Sequence, residues 1–147
     1  MKYVANSEGG YSNDPKDKGG ITYKGISSKF YQGLIRDHGY PNKPVTMITE
    51  KERLAIYRRW FWNPLARHHA NNPALALQLF DHSVNSGVTR ANELLKKGNI
   101  TPRMYRNARK TAYVTYDTCK AHCGGWLPRV DYVYNVGLKL KGMYNES

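Results

Sequence analysis

The chain has 147 residues, a length typical of one domain or of one domain with a small subdomain. Its 23 Lys and Arg residues against 11 Asp and Glu give a formal net charge of +12, and such a basic surface attracts polyanions such as nucleic acid, anionic lipid or cell-wall polymers. Two cysteines are too few for a disulfide scaffold, and no apolar run approaches the roughly 18 residues of a membrane-spanning helix.

The first predicted element is a turn-rich segment over residues 9–25, where glycine, asparagine, aspartate and proline provide turn positions and positive φ angles. We expect a loop or a short β-hairpin there. Glu8 directly precedes two glycines and is therefore predicted to end a short helix. The next helix is predicted over Ile26–Asp37, with Gly39 as its stop.

A capping box, in which Thr49 and Glu52 satisfy each other's backbone N–H groups, predicts the start of the following helix. That helix is expected to end before Pro64. Trp60 is expected to pack in the core, whereas Trp62, close to the proline, is expected to be exposed.

The most apolar helix is predicted over Pro73–Ser86, with Asn72 as its N-cap and Gly87 as its end. Because nearly every residue as far as Phe80 is apolar, we expect this helix to be central and buried. Three more helices are predicted over residues 88–97, 101–122 and 127–140, with glycines at 98 and 124–125 as stops. No long run alternates between apolar and polar residues, so the predicted class is mainly α with a small β-hairpin or turn element near the N-terminus.

Two carboxylates and a hydroxyl near the start of the chain could support acid–base chemistry. Glu8 at the C-terminal end of a helix would lie in the negative end of the helix dipole, which raises a carboxyl pKa and suits a general acid. A hairpin could bring Asp17 and Thr22 back over Glu8 and leave room for a water, as in an inverting glycosidase. Spacing alone leaves open a plain helix stop followed by a solvated turn.

A block near the start resembles the signature of glycoside hydrolase family 108: EGGYSNDPKDKGG at 8–20, followed by TYKGI at 22–26. Two later blocks are similar to the family's Asp-x-x-x-Asn-x-Gly helix and Gly-Trp-x-x-Arg motif: LFDHSVNSG at 79–87 and GWLPRV at 125–130. The family comprises lysozyme-like N-acetylmuramidases, common among phage endolysins and secretion-associated bacterial muramidases.

The resemblance implies a lysozyme-like helical fold, with residues 1–87 as the muramidase catalytic region and residues 88–147 as a helical region packed on it in one compact domain. It implies cleavage of the β-1,4 bond between N-acetylmuramic acid and N-acetylglucosamine, with Glu8 as the acid. Asp17 would orient a water, which Thr22 would help to hold. Inversion is expected, retention stays open, and no cofactor is expected.

Four further residues are candidates for substrate binding. Tyr11 and Tyr23 could stack on a sugar face. Asp81 and Asn85 lie one turn apart on one helical face, where they could border the cleft or hydrogen-bond the active-site loop. They could equally form a polar stripe that caps the buried helix.

No metal site is expected. His68 and His69 have no paired ligands within reach by sequence. Cys119 and Cys123, with His122 between them, supply too few ligands for zinc, and they are predicted to be two thiols one turn apart on a helix.

The basic residues cluster late in the chain, and Arg103, Arg106 and Lys110 share one face of the predicted helix from Thr101. The expected partners are peptidoglycan and, through this basic helix, an anionic outer-membrane surface; no specific nucleic acid is expected, and a monomer is expected. Two other hypotheses are a basic nucleic-acid-binding domain and a non-catalytic wall-binding module.

The N-terminus has no apolar region typical of a cleaved signal peptide. We therefore expect an antimicrobial, phage-type endolysin that lyses its host. It would wait in the host cytoplasm until a holin releases it to the periplasm and cell wall. A secretion-linked bacterial enzyme without a cleaved signal is the alternative.

Overall fold

The structure, a computed structural model, describes residues 11–12, 22–96, 98, 100–115 and 119–145. It describes side chains at these positions except for 11–12, 119–123 and 141–145. The chain forms two compact units, residues 1–56 and 57–147. The predicted division near Gly87 falls inside the second unit, because the helices on either side of that glycine pack together.

A three-stranded antiparallel sheet opens the first unit, in the order β1 (Tyr11–Ser12), β2 (Thr22–Tyr23) and β3 (Ile26–Ser27). A two-residue turn joins β2 to β3, and both of its residues have positive φ: 49° at Lys24 and 84° at Gly25. Positive φ at both central positions matches the twist of a tight hairpin, and glycine adopts it without strain. Of the loop or short hairpin predicted over residues 9–25, the hairpin is confirmed by the antiparallel pairing of β1 with β2.

Helix α1 spans Ser28–His38, so the predicted start at Ile26 is wrong. Ile26 and Ser27 instead pair with β2, and the Ser27 hydroxyl accepts a hydrogen bond of 3.1 Å from the Phe30 N–H as the N-cap. The helix ends at Gly39, as predicted, with φ of 70°.

A 3₁₀ turn over Val45–Met47 precedes helix α2, Glu50–Ile56. The predicted capping box is confirmed. The Glu52 N–H donates to the Thr49 hydroxyl at 3.1 Å, and the Thr49 N–H donates back to the Glu52 carboxylate at 3.0 Å.

The second unit begins with a π-helical segment, Tyr57–Trp62, and a 3₁₀ helix, Ala66–His69. The expectation for the tryptophans is wrong: Phe61 is the buried residue, Trp60 is partly exposed, and Trp62 packs edge-on against Phe80 with ring centroids 5.7 Å apart. The wider π turn changes which side chains share a face, so counting at the α-helical period assigns the wrong ones to the core.

Helix α3 spans Pro73–Ser86 and is the centre of the second unit, as predicted. Every residue from Ala74 to Val84 is buried, and the Asn72 side chain accepts a hydrogen bond of 3.4 Å from the Leu75 N–H at the N-terminus. Three further helices pack against it: α4 (Val88–Leu95), α5 (Pro102–Tyr113) and α6 (Cys119–Asn145).

The predicted helices over 101–122 and 127–140 are wrong in their boundaries. Helix α5 stops at Tyr113, where the poor helix formers Val114 and Thr115 follow, and α6 continues through Gly124 and Gly125. A glycine costs a helix only about 1 kcal/mol, which tertiary packing of the residues that follow can outweigh. The Trp126 ring, for example, lies 5.3 Å from that of Tyr113.

The predicted fold class, mainly α with a small β element near the N-terminus, is confirmed by these elements. Within the described residues, no helix is both long enough and apolar enough to span a membrane.

Candidate active site

Thr22, one of the three catalytic candidates, lies in the β1–β2 pair. Its register sets Tyr11 opposite Tyr23 and Ser12 opposite Thr22. Glu8 lies shortly before β1 along the chain, and Asp17 lies between the two strands; both fall outside the described residues. The pairing therefore places Ser12, four residues after Glu8 in the sequence, beside Thr22.

Thr22 and Tyr23 are both partly exposed. The Lys24 ammonium lies 5.6 Å from the centroid of the Tyr23 ring, a distance typical of a cation–π contact. A positive charge therefore lies beside the Tyr23 ring. The residue belongs to β2, the central strand, which pairs with β1 on one edge and β3 on the other. For Tyr11 the structure gives the strand position and pairing only.

Asp81, the first of the two polar candidates on α3, has a fully buried carboxylate. It pairs with two guanidinium groups from different helices: Arg109 of α5 at 2.6 Å and Arg129 of α6 at 2.5 Å. Arg129 also donates to it through Nε at 3.0 Å. Asp81 thereby joins three helices of the second unit through a buried ion network.

Burial opposes ionisation of the Asp81 carboxyl, but the charges of Arg109 and Arg129 outweigh it and hold its pKa below the usual range. The carboxylate is therefore ionised at neutral pH. Its negative charge offsets one of the two guanidinium charges, so the cluster of Asp81, Arg109 and Arg129 has a net charge of +1. Arg109 Nη1 is buried without a hydrogen-bond partner among the described residues.

A tyrosine links this network to Asn85, the second candidate. The Tyr113 hydroxyl accepts hydrogen bonds from Arg109 Nε at 2.8 Å and Nη2 at 2.5 Å. It donates in turn to the Asn85 side-chain oxygen at 3.3 Å. Asn85 is only partly buried, so it lies at the border between the buried network and solvent.

A buried histidine lies next to the network. His82 Nδ1 and the Tyr105 hydroxyl share a hydrogen bond of 2.7 Å, and the Tyr113 ring packs against the imidazole with centroids 5.5 Å apart. Burial, reinforced by the charges of Arg109 and Arg90, lowers the pKa of His82 well below its usual value. The imidazole is therefore neutral at physiological pH.

The sequence analysis did not single out Arg109 from the other basic residues late in the chain. The missed signal is periodic, because Arg109 follows Tyr105 and precedes Tyr113 at intervals of four, and all three are fully buried. An arginine that lies four residues from each of two core tyrosines shares their buried face of the helix.

The other basic residues of α5 differ in their contacts. The Arg106 guanidinium lies 4.5 Å from the centroid of the Tyr134 ring, and Lys110 pairs with Asp131 at 3.0 Å. Arg103 is exposed. Of the predicted basic face of Arg103, Arg106 and Lys110, only Lys110 is therefore paired with a carboxylate among the described residues.

A metal site has no support within the described residues, since no group of three His, Cys, Asp or Glu side chains could hold an ion there. Cys119 and Cys123 both lie in α6, one turn apart as predicted, and their side chains are outside the described part. His68 is exposed and His69 partly buried on the 3₁₀ helix.

The model of one protein family, Glycosyl hydrolase 108, matches residues 1–87. The chain belongs to this family. The match covers Glu8, Asp17 and Thr22, and it ends with Gly87, the residue that terminates α3. Membership makes the protein a glycoside hydrolase and indicates peptidoglycan as its substrate.

The fold is similar to that of a solved structure, Brucella abortus SagA, with a TM-score of 0.78. The two share 24% sequence identity over 95% of this chain and 91% of that chain. At this identity the similarity shows a common fold. A comparison with curated protein sequences gave no match.

Proposed function

We propose that this glycoside hydrolase is a muramidase, which cleaves the β-1,4 bond between N-acetylmuramic acid and N-acetylglucosamine in peptidoglycan. Glu8 protonates the leaving oxygen. Asp17 acts as the base that orients and activates a water, and Thr22 helps to hold that water. The reaction inverts the anomeric centre, which requires room for the water between the two carboxyl groups.

The β1–β2 register is the observation that carries this proposal. Pairing of Ser12 with Thr22 brings the strand that follows Glu8 in the sequence beside Thr22, which supports a site built from these neighbouring residues. The family match over residues 1–87 supports the same three residues, because it spans all of them. An inverting enzyme would hold its two carboxyl groups about 6.5–9.5 Å apart, and a retaining enzyme about 5–5.5 Å.

Tyr11 and Tyr23 are proposed to contact sugar rings, on the grounds of their opposed positions in the sheet and the partial exposure of Tyr23. Asn85 is proposed to hydrogen-bond the substrate, because it is partly exposed. For Asp81 the support differs. Its carboxylate is enclosed by two guanidinium groups, which favours a structural role over substrate contact.

The test compares purified peptidoglycan digested by the wild type, by Glu8→Gln and by Glu93→Gln, a matched change at an exposed glutamate. Soluble fragments are reduced with borohydride and identified by mass spectrometry. We expect reducible muramic-acid ends from the wild type and Glu93→Gln. Glu8→Gln should release none while melting at the wild-type temperature, because it keeps the shape and loses the transferable proton.

Other products would contradict specific parts of the proposal. Reducible glucosamine ends would mean a glucosaminidase, and free peptides would mean an amidase or peptidase. Full activity of Glu8→Gln would remove Glu8 from the acid role. The anomeric configuration of the first-formed product, followed by NMR, separates inversion from retention.

Delivery to the wall is a separate proposal. As a phage-type endolysin, the protein would accumulate in the host cytoplasm and reach the wall when a holin opens the membrane. Expression with and without a co-expressed holin tests this, since lysis should require the holin. Lysis at the same rate without it would contradict holin-dependent release.

A further inference from the structure

A second stretch of the sequence, outside α5, carries positive charges with no acidic residue among them. Residues 53–80 form the longest interval without Asp or Glu, and they include Arg58, Arg59 and Arg67. All three arginines are exposed. We call Arg58, Arg59 and Arg67 the arginine surface.

Two short helices display these arginines. In the π-helical segment, Tyr57 and Phe61 are buried and pack edge to face with ring centroids 6.2 Å apart, which leaves the intervening Arg58 and Arg59 outside. Arg67 follows the buried Ala66 in the 3₁₀ helix, which contacts the π-helical segment. The arginine surface is thus carried by adjacent elements with their apolar sides anchored in the second unit.

The charges of the arginine surface remain available for a partner. Among the described residues, no carboxylate forms an ion pair with any of its members. The Arg59 guanidinium lies 4.9 Å from the Trp60 ring centroid, a contact that orients it without neutralising it. On α5, Arg109 is buried with Asp81 and Lys110 is paired with Asp131, whereas Arg103 is exposed.

The chemistry of the arginine surface favours oxyanions. Its cations are all guanidinium groups, which present a rigid fork of donors that matches a carboxylate or a phosphate with two hydrogen bonds, and peptidoglycan carries carboxylates on its peptide stems. We propose that the arginine surface binds the carboxylates of the peptide stems of peptidoglycan. This inference rests on the proposed function, because it assigns the surface to the same substrate as the catalytic residues.

Binding to insoluble peptidoglycan tests the proposal. A variant with Arg58, Arg59 and Arg67 all changed to Gln is compared with its parent, both carrying Glu8→Gln to prevent digestion, by sedimentation at several salt concentrations. We expect about a tenfold loss of affinity, since three exposed charge pairs each contribute a few-fold. We also expect a weaker salt dependence, because fewer screened pairs remain.

Two controls identify the chemistry. Peptidoglycan whose carboxylates have been converted to amides with carbodiimide and glycinamide should bind the parent no better than the variant. Changing the same arginines to Lys should recover only part of the loss, because the charge returns without the bidentate fork. Changing Arg90, Lys96 and Arg103 to Gln removes equal charge elsewhere and should reduce affinity less than threefold.

Two results would overturn the proposal. These are unchanged binding of the arginine variant to peptidoglycan and an equal loss of binding in the Arg90, Lys96 and Arg103 control. The catalytic proposal is read separately, from the reducing ends released by wild-type protein. Fragments without arginine-dependent binding would reject only this inference, and arginine-dependent binding without fragments would reject only the muramidase.

Discussion

Charges are handled differently in the two compact units. In residues 22–56, each observed ion pair joins residues no more than nine positions apart, as in Arg36 with Asp37 and Lys43 with Glu52. Every carboxylate in these pairs is at least partly exposed. In residues 57–147, Asp81 is fully buried and one of its partners, Arg129, lies 48 positions away.

The difference teaches that similar ion pairs make different contributions to stability. An exposed local pair exchanges solvation for a weak attraction, so its removal changes little. A buried carboxylate held by two guanidinium groups has lost its hydration. Removing it leaves the guanidinium charges without a counter-charge in an interior of low dielectric constant. Stability should therefore respond strongly to changes around Asp81 and weakly to changes among the pairs of the first unit.

The largest effect is expected for Asp81→Asn. The substitution keeps the shape but leaves Arg109 and Arg129 buried without a compensating charge, which should lower the free energy of unfolding by about 3–5 kcal/mol. Urea denaturation measures it. The matched control Asp131→Asn removes the partner of Lys110 in a half-exposed pair and should cost less than about 1 kcal/mol. Equal losses would contradict the comparison.

A smaller effect is expected from pH through His82. Its pKa is lowered in the folded state by burial, then by Arg109 and Arg90, so the unfolded chain binds the proton more readily. Stability should therefore fall as pH drops below about 6.5, by about 1.4 kcal/mol per pH unit, until the folded-state pKa is reached. Urea midpoints between pH 7.5 and 5 should show this slope in wild type and in His68→Gln, an exposed control. If the same slope persists in His82→Gln, a group other than His82 causes the pH dependence of stability.

The capping box should contribute less. Thr49→Ala removes the hydroxyl that accepts from the Glu52 N–H and should lower the free energy of unfolding, measured by urea denaturation, by about 1 kcal/mol.

The carboxylate of the same capping box should respond to acid. Hydrogen bonds from Lys43 and then from the Thr49 N–H lower the pKa of Glu52 to about 2. Its contribution is therefore complete above about pH 4.5 and lost as pH falls towards 2. Acid titration of helicity in wild type and Glu52→Gln checks this, and an identical acid response would count against it.

The smallest effect is expected for Arg36→Gln. Arg36 donates two hydrogen bonds to its neighbour Asp37, but both side chains are largely exposed. Solvent and salt screen such a pair, so the urea midpoint should not move measurably. A clear destabilisation would show that local surface pairs in this unit do more than the comparison allows.

Local signals in the sequence predicted several elements correctly. The capping box at Thr49, the N-cap at Asn72 and the stop at Gly39 each depend on bonds within a few residues, and the structure confirms them. Stops at Gly124 and Gly125 were predicted by the same kind of signal and are wrong, because packing of the following residues outweighs the small intrinsic cost of glycine.

The candidate site residues also differ in how far the sequence alone could predict them. The order of Glu8, Asp17 and Thr22, and the family to which it points, can be read from one short block, because these residues are close along the chain. No pattern near Asp81 in the sequence indicates which residues pair with it, since its partners Arg109 and Arg129 come from α5 and α6.

The sequence by itself therefore determined the mainly helical class, the helix caps and the family signature, because each depends on neighbours along the chain. Tertiary structure decided which of the many arginines are buried and which remain exposed. Arg109 and Arg67 cannot be distinguished by residue type, yet one is enclosed with a carboxylate and the other lies on the surface. The reason is that burial of a charge requires partners that only the packing of distant helices supplies.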